Sequence, residues 1–379
     1  MVVADVHNGG PDSELLFGEF IHEVIDPAYD MERLDVIFVD GDFFDKKLSA
    51  NSVDFRIAIN MFAQIVKLAV AKGAKIRFIK GTLSHEYEQL DVLETIKNTV
   101  TCDIKIFNEV AEEELFPNFN VLYVPEEYVE DMEEYYAPYF EKKYDMIHGH
   151  GLIDIAAFVA TLQESEATRP NAPIFKAETL SELATVTYFG HIHKHIRYKN
   201  VRYTGSFTRW CYGESEEKGY YIGIYDNINK SFEDVFVINE LAPRYDTIKI
   251  LEDSPLFVKD VYQTVMNILE IGEMRKDYLR IEIHIPTDYE DTNLLVSLLN
   301  ESFGKKKKIK LKIVNTIKQK QREQVTEKIN MLMDKYSFIF DRSLETDEKL
   351  SEYIKIKYGR NISVEKMRTY LHDVEQVSS

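Results

Sequence analysis

The chain has 379 residues, a formal net charge of −19, 45% hydrophobic residues and two cysteines. That length allows two or three domains around a large buried core, and the acidic balance argues against broad nonspecific electrostatic binding of nucleic acid. There is no apolar run of about 18 residues and no basic-then-apolar N-terminus. Cys102 and Cys211 have neither zinc-site nor disulfide spacing, so no membrane association and a reducing cytosol are the expectations.

In chain order, Val2 to Ala4 reads as a strand stub. Asp5 and His7 follow almost at once, so the first strand is expected to be very short and the natural chain to begin a few residues earlier. Leu34 to Val39 is a buried strand that runs into Asp40-Gly41-Asp42. Ser52 to Ala71 has helical periodicity, with Ile57, Met61, Ile65 and Leu68 on one face. Lys75 to Ile79, Asn120 to Val124, Asp145 to Ile147 and Val186 to Phe189 are further strands, followed by Val201 to Tyr203, Tyr220 to Tyr225 and Asp234 to Ile238. The acidic segment Glu126 to Glu134 reads as a solvated loop or helix face. Strands alternating with helices imply an α/β layered fold.

The pattern changes near Leu241-Ala242-Pro243. Leu279 to Ile285, Thr292 to Phe303 and Ile309 to Val314 make a compact β-α-β unit. A polar stretch then leads into helices at Val325 to Tyr336, Thr346 to Tyr358 and about Val364 to Val374. The expected division is therefore 1–243, 244–318 and a helical region 319–379.

Seven of the ten histidines, His7, His85, His148, His150, His191, His193 and, just beyond the last motif, His195, sit in or beside a few short segments that follow strands. Asp5-Val6-His7, Gly41-Asp42-Phe43-Phe44-Asp45, Gly81-Thr82-Leu83-Ser84-His85-Glu86, His148-Gly149-His150-Gly151 and Gly190-His191-Ile192-His193 come in that order. Imidazole and carboxylate gathered after successive strands is how a dinuclear transition-metal site is assembled. An extended Asp5-x-His7 would point both side chains to one metal, and the two oxygens of Asp42 can bridge two cations. His191 and His193, on one side of an extended segment, can each serve a different metal. Each segment alone is a common loop. All five, ordered and placed after strands, are hard to explain without a site.

This set of motifs resembles the calcineurin-like metallophosphoesterases over roughly residues 1 to 240. Within them it is most similar to the SbcD, or meiotic-recombination-eleven, DNA repair nucleases. The resemblance rests on Gly41-Asp42-Phe43-Phe44-Asp45, on Tyr203-Thr204-Gly205-Ser206 with Lys218-Gly219-Tyr220, and on the β-α-β unit, which stands where that family has a DNA-capping domain. The segment from Gly81 to Glu86, with Gln89-Leu90, is more similar to phage-encoded members than to cellular ones. The resemblance implies a β-sandwich flanked by helices in an α/β/β/α order, and two divalent metals, manganese by family habit. Ligand type alone also allows magnesium, iron or zinc.

By position, the resemblance gives one metal to Asp5, His7, Asp42 and His193, and the other to Asp42, Ser84, His150 and His191. His85 would act on the phosphate, with a water between the metals as nucleophile. Asp45 and His148 would support ligands from behind. The family has asparagine where this chain has Ser84. Either Ser84 coordinates, or a water fills the gap, or the loop is re-routed and Thr82 or Glu86 serves instead.

The resemblance also implies a homodimer that works with an SbcC-type coiled-coil ATPase on double-strand ends and single-stranded DNA, in a bacterial or phage-infected host cytoplasm. Arg209 and the run Lys305, Lys306, Lys307 and Lys308 are the candidate contacts to DNA phosphates. The expected function is manganese-dependent exonuclease or endonuclease cleavage in double-strand-break processing. The rivals are a phosphatase or small-molecule phosphodiesterase of the same superfamily, and a DNA-end-binding scaffold with a decayed metal site.

Overall fold

A computed structural model describes residues 1–10, 12–97, 99–155, 173–250, 278–285, 297, 309–315, 338 and 344–369. The protein is an α/β fold that divides into two compact units, one of residues 1–246 with 272–279 and the other of residues 247–271 with 280–379.

The first unit holds two six-stranded mixed sheets. One comprises β1 (Val2–Val3), β2 (Val36–Asp40), β3 (Lys75–Ile79), β4 (Ile104–Phe107), β13 (Gly219–Asp226) and β14 (Ser231–Ile238), in the order β14-β13-β1-β2-β3-β4. The other comprises β5 (Ala111–Phe116), β6 (Phe119–Val124), β7 (Tyr144–His150), β10 (Ala184–Gly190), β11 (Ile196–Tyr198) and β12 (Val201–Tyr203), in the order β11-β12-β10-β7-β6-β5. The short strands β8 (Leu152–Ile153) and β9 (Ile174–Phe175) pair separately. Strands β1 to β4 run parallel, as do β6, β7, β10 and β12, so the C-terminal ends of each set gather at one edge.

Three cores explain the layering. Val2, Phe38, Ile79, Val121, Tyr123, Met146, Val186 and Tyr188 pack together between the sheets. Their neighbours in sequence face the other way: Ile37, Val39, Ile76 and Phe78 meet the helix Val53–Lys72, and Leu122, Val124, Ile147 and Phe189 meet the helices Met132–Phe140 and Ala177–Leu183. The period of two puts alternate residues on opposite faces. Because both faces are covered, the strands read as largely apolar runs instead of strictly alternating ones. Val53–Lys72 is bounded by Ser52, whose hydroxyl accepts from Phe55 N at 3.1 Å, and by left-handed Gly73, the usual chemistry at the two ends of a helix.

Arg77 makes one of the polar links between the two sheets. Arg77 on β3 is fully buried, and its guanidinium donates to both oxygens of Glu113 on β5 at 2.7 and 2.8 Å and to Asp103 at 3.0 and 3.1 Å. A charge in that layer requires this forked pairing.

A three-stranded sheet, β15 (Tyr245–Ile250), β16 (Tyr278–Ile285) and β17 (Ile309–Asn315), contains the two strands expected of the β-α-β unit. The expected helix Thr292 to Phe303 lies outside the described residues except for position 297, as does the expected helix Val325 to Tyr336. The helix Thr346–Tyr358 has the bounds read from its periodicity, with a capping box between Glu345 and Glu348 and left-handed Gly359 at its end. Among the described residues, no helix is long and apolar enough to cross a membrane.

Candidate metal centre

Six parallel strands deliver the site. Asp5 lies two residues beyond β1, Asp42 two beyond β2 and Glu126 two beyond β6. Thr82 and His85 follow β3, His150 ends β7, and His191 and His193 follow β10. The carboxyl edge of parallel strands is where α/β proteins gather ligands.

The local backbone is unusual. Asp5, His7, Asp42 and His191 all have φ between 47° and 96°, a region that non-glycine residues enter at a cost and that clusters at functional sites. The expectation of extended segments is therefore corrected. Asp5-x-His7 is kinked at both functional residues, and the segment from His191 to His193 is a run of bends. The kinked β1 loop is held by backbone bonds to its neighbour, His7 N to Asp42 O at 2.9 Å and Asn8 N to Phe43 O at 2.8 Å.

Among the described residues, the donors form four overlapping groups, two of which, His7-Asp42-His85 and Asp5-Asp42-His150, join the other two through Asp42. Asp5, His7 and His193 bring ligand atoms within 4.8 Å of one another, and so do Glu126, His150 and His191. In the first, His7 Nε2 is 2.9 Å from His193 Nε2. In the second, Glu126 Oε2 is 3.2 Å from His191 Nδ1 and 3.7 Å from His150 Nε2. Asp42 lies between them. Thr82 N donates to its Oδ1 at 2.6 Å, while its Oδ2 is 2.7 Å from His85 Nδ1, 3.3 Å from His150 Nε2 and 3.9 Å from His7 Nε2. This set of imidazole and carboxylate donors suits divalent transition metals. It could hold a metal in each of the two groups that Asp42 joins, with Asp42 shared.

Supporting contacts orient the imidazoles from behind. Asp45 lies 3.5 Å from His7 Nδ1, Glu214 lies 3.3 Å from His193 Nδ1, and the carbonyl of Asp40 accepts from His150 Nδ1 at 2.9 Å. His148 belongs to no donor group. It is fully buried, stacks on Phe38 at 3.7 Å and pairs with Asp40 Oδ2 at 2.8 Å. Glu86 is also fully buried and accepts from Phe43 N at 2.5 Å, bracing the Asp42 loop instead of facing the donors. Burial, then the charge of Asp42, pushes its carboxyl up to about 8.

The electrostatics follow from this crowding. Burial lowers His7. Burial opposes the imidazolium of His150 as well, but the carboxylates of Asp42, Asp5 and Glu126 outweigh it and hold that group well above its ordinary value. Burial likewise works against the charged forms of Asp42 and Glu126, yet the surrounding histidines keep Asp42 well below the usual carboxylate range and bring Glu126 to about 2.

Ser84 is half-buried on the short helix Leu83–Glu86. The Thr82 hydroxyl faces the second group, donating to Glu126 Oε2 at 2.9 Å and lying 3.4 Å from His191 Nδ1. The reading of Glu126 to Glu134 as solvated is corrected at its first residue. Glu126 is 5% exposed because Val124-Pro125 carries it over the edge of the sheet into the site. Its place two residues past a parallel strand, like Asp5 and Asp42, was the signal that the charge run hid.

Arg209 donates to Ala242 O at 3.1 Å and Glu216 O at 2.8 Å, so part of its guanidinium is committed to the backbone. Lys305, Lys306, Lys307 and Lys308 lie outside the described residues.

No family model and no curated protein matches the chain. One solved structure, titled only as a crystal structure, aligns with 12% identity and a TM-score of 0.37, over 62% of this chain and 97% of its own.

Proposed function

We propose that the chain is a two-metal phosphoesterase of the calcineurin-like type and, within it, a DNA nuclease similar to SbcD. The observation that carries this reading is the pair of donor groups with Asp42 between them. The motif order supports the superfamily, and the stretch Gly205-Ser206 with Lys218-Gly219 supports the nuclease branch.

Asp5, His7 and His193 would hold one cation and His150 and His191 the other, with Asp42 serving both. When bound, such a pair supplies an activated water and neutralises charge on the phosphoryl oxygens. The protein's own part is positioning. Thr82 N fixes one oxygen of Asp42, so the other is free to face both groups. Asp45 and Glu214 fix the tautomers of His7 and His193. His85, with its side chain 18% exposed beside Asp42, would hold a proton for the leaving oxygen.

Manganese is the proposed metal. A homodimer bound to a coiled-coil ATPase in a bacterial or phage-infected cytoplasm is the proposed setting. These two points rest on the resemblance alone.

The test is cleavage of linear double-stranded and single-stranded DNA with added manganese, beside Asp42→Ala and His85→Ala. Manganese-dependent cleavage lost in both variants is the expected result. Hydrolysis of a generic phosphodiester without cleavage of DNA would replace the nuclease with a small-molecule phosphodiesterase. Inactivity toward both, even with the ATPase added, would overturn the enzyme reading.

A further inference from the structure

We propose that Glu126 is a metal ligand, so that the second site offers two carboxylates and two imidazoles, the same donor set as the first. The inference rests on the two-metal reading and deepens it. The first group has Asp5 and Asp42 with His7 and His193. The second, with Glu126 included, has Glu126 and Asp42 with His150 and His191. The position that the resemblance gives to an amide is thus supplied by a carboxylate from a different strand.

The geometry is specific to one oxygen. The Tyr128 hydroxyl donates to Glu126 Oε1, which turns Oε2 inward. Oε2 then lies 3.2 Å from His191 Nδ1 and 3.7 Å from His150 Nε2, while the Thr82 hydroxyl donates to it at 2.9 Å. A carboxylate that is 5% exposed cannot be left to solvent, so it needs a cation or a set of donors. Thr82 and Tyr128 satisfy part of that need and, in doing so, aim the remaining lone pairs at the two imidazoles. The functional consequence is charge. A carboxylate in place of an amide adds one negative charge to the second site, which strengthens its hold on a divalent cation. It also explains how the chain manages without the asparagine that its relatives in motif carry next to the histidine of this loop.

The competing account is that Glu126 only orients the imidazoles of His150 and His191 without touching an ion. Titration calorimetry of the full chain, stripped of metal and then given manganese alone at neutral pH, separates the two. Electron paramagnetic resonance of the loaded protein reports whether two ions are magnetically coupled. The wild type is expected to take two ions and give the coupled signal. Glu126→Ala removes the oxygen that would touch the ion. It is expected to bind one ion as before, to lose the other as completely as His191→Ala does, and to lose the coupled signal. Thr82→Val, which removes only a support of Glu126, should weaken that ion by about 10–100-fold. Asp5→Ala should lose the other ion. Thermal melting of the stripped variants checks that each is folded. Two ions with the coupled signal in Glu126→Ala, or a loss no larger than that of Thr82→Val, would overturn the proposal and leave the two-metal reading intact. A wild type that binds no manganese, zinc or iron would overturn both.

Discussion

His7 Nε2 and His193 Nε2 face each other across 2.9 Å, though 186 residues separate them in the chain. Imidazole has one lone pair at such a nitrogen, so two of them this close need either a proton between them or a shared cation. Burial disfavours the imidazolium at His7, whereas at His193 burial is outweighed by Glu214 and Asp5, which raise it, so a proton on His193 bridges the pair in the absence of a cation. Asp5 brings a carboxylate to the same point, and a divalent cation there would satisfy all three residues in place of that proton.

Metal loading should therefore stabilise the fold. A ligand present at 100 times its dissociation constant contributes about 2.7 kcal/mol, and for a unit of this size each kcal/mol raises the melting temperature by about 2–4 °C. Manganese is expected to raise the melting temperature of the stripped protein by several degrees, and a chelator to reverse it. Asp5→Ala and His193→Ala should each lose a large part of that rise. A melting curve indifferent to manganese in the wild type would count against the site.

Glu19 gives a pH dependence away from the metal centre. Its side chain is 2% exposed and accepts from Thr208 Oγ1 at 2.7 Å and Asn239 Nδ2 at 3.0 Å. Burial pushes its carboxyl up to about 7, against the two hydrogen bonds. A folded value above the unfolded one means that the folded state binds the proton more tightly. The stabilisation is full below the unfolded value and is lost as pH rises through about 7. Glu19→Gln, which keeps the acceptor and removes the charge, should flatten the loss of stability between pH 5 and 8, worth roughly 1–3 kcal/mol at the alkaline end. Urea titrations of both proteins at several pH values would show it. Parallel pH profiles would reject it.

Arg77 gives the opposite sign. Burial opposes the carboxylates of Glu113 and Asp103, but the guanidinium outweighs it, lowering Glu113 and taking Asp103 to about 2. Their contribution is present above the unfolded carboxylate range and is lost as pH falls through the folded values. Arg77→Met should cost about 3 kcal/mol, because Glu113 is left in the sandwich without its forked partner. Lys105 and the Tyr123 hydroxyl still reach Glu113, which limits the loss. Adding Glu113→Gln should recover part of it. Denaturant unfolding of the single and double variants tests the pair, and equal stabilities in wild type and Arg77→Met would refute it.

Much of this molecule was legible in the chain. Apart from the two-residue β1, the strands that carry the motifs are largely apolar runs of five to seven residues, and a run buried on both faces is easy to find. Lys75–Ile79 and Val201–Tyr203 fall at the positions read from sequence. The edge strand β5 was harder to see, because its sequence Ala111–Phe116 carries three consecutive glutamates. One of them is the Glu113 that pairs with Arg77, a partner from another strand that composition cannot reveal. The candidate donors that share a motif with a histidine were legible as motifs, and the resemblance gave them their places. Glu126 has no histidine beside it and opens an acidic run, so its charge read as solvent-facing. Only pairing β6 with β7 in the sheet brings it to His150 and His191. The kinks at Asp5, His7 and His191 were likewise invisible, since positive φ at these residues is imposed by the strands packed around them.

Gly41 links backbone conformation to the metal centre most directly. Its φ is +81°, and a Cβ there would fall 2.0 Å from His150 Nδ1, the nitrogen that donates to Asp40 O. The ring is fully buried and has no room to yield. Gly41→Ala therefore carries two penalties, a left-handed backbone worth about 1–2 kcal/mol and the displacement of a ligand histidine. Gly73 separates them. It has φ +67° at the end of the helix Val53–Lys72 and open space where a Cβ would go. Gly73→Ala should lose stability by about 1 kcal/mol and keep full metal binding. Gly41→Ala should lose more stability, weaken binding of an ion at His150 and His191, and, on the proposed phosphoesterase reading, reduce phosphodiester hydrolysis by about 100-fold, the effect of a misplacement near 1 Å. Manganese titration beside melting curves of both variants reads the two effects apart. Wild-type ion binding in Gly41→Ala would mean that His150 can move without cost, and that its place in the donor set is not fixed by this glycine.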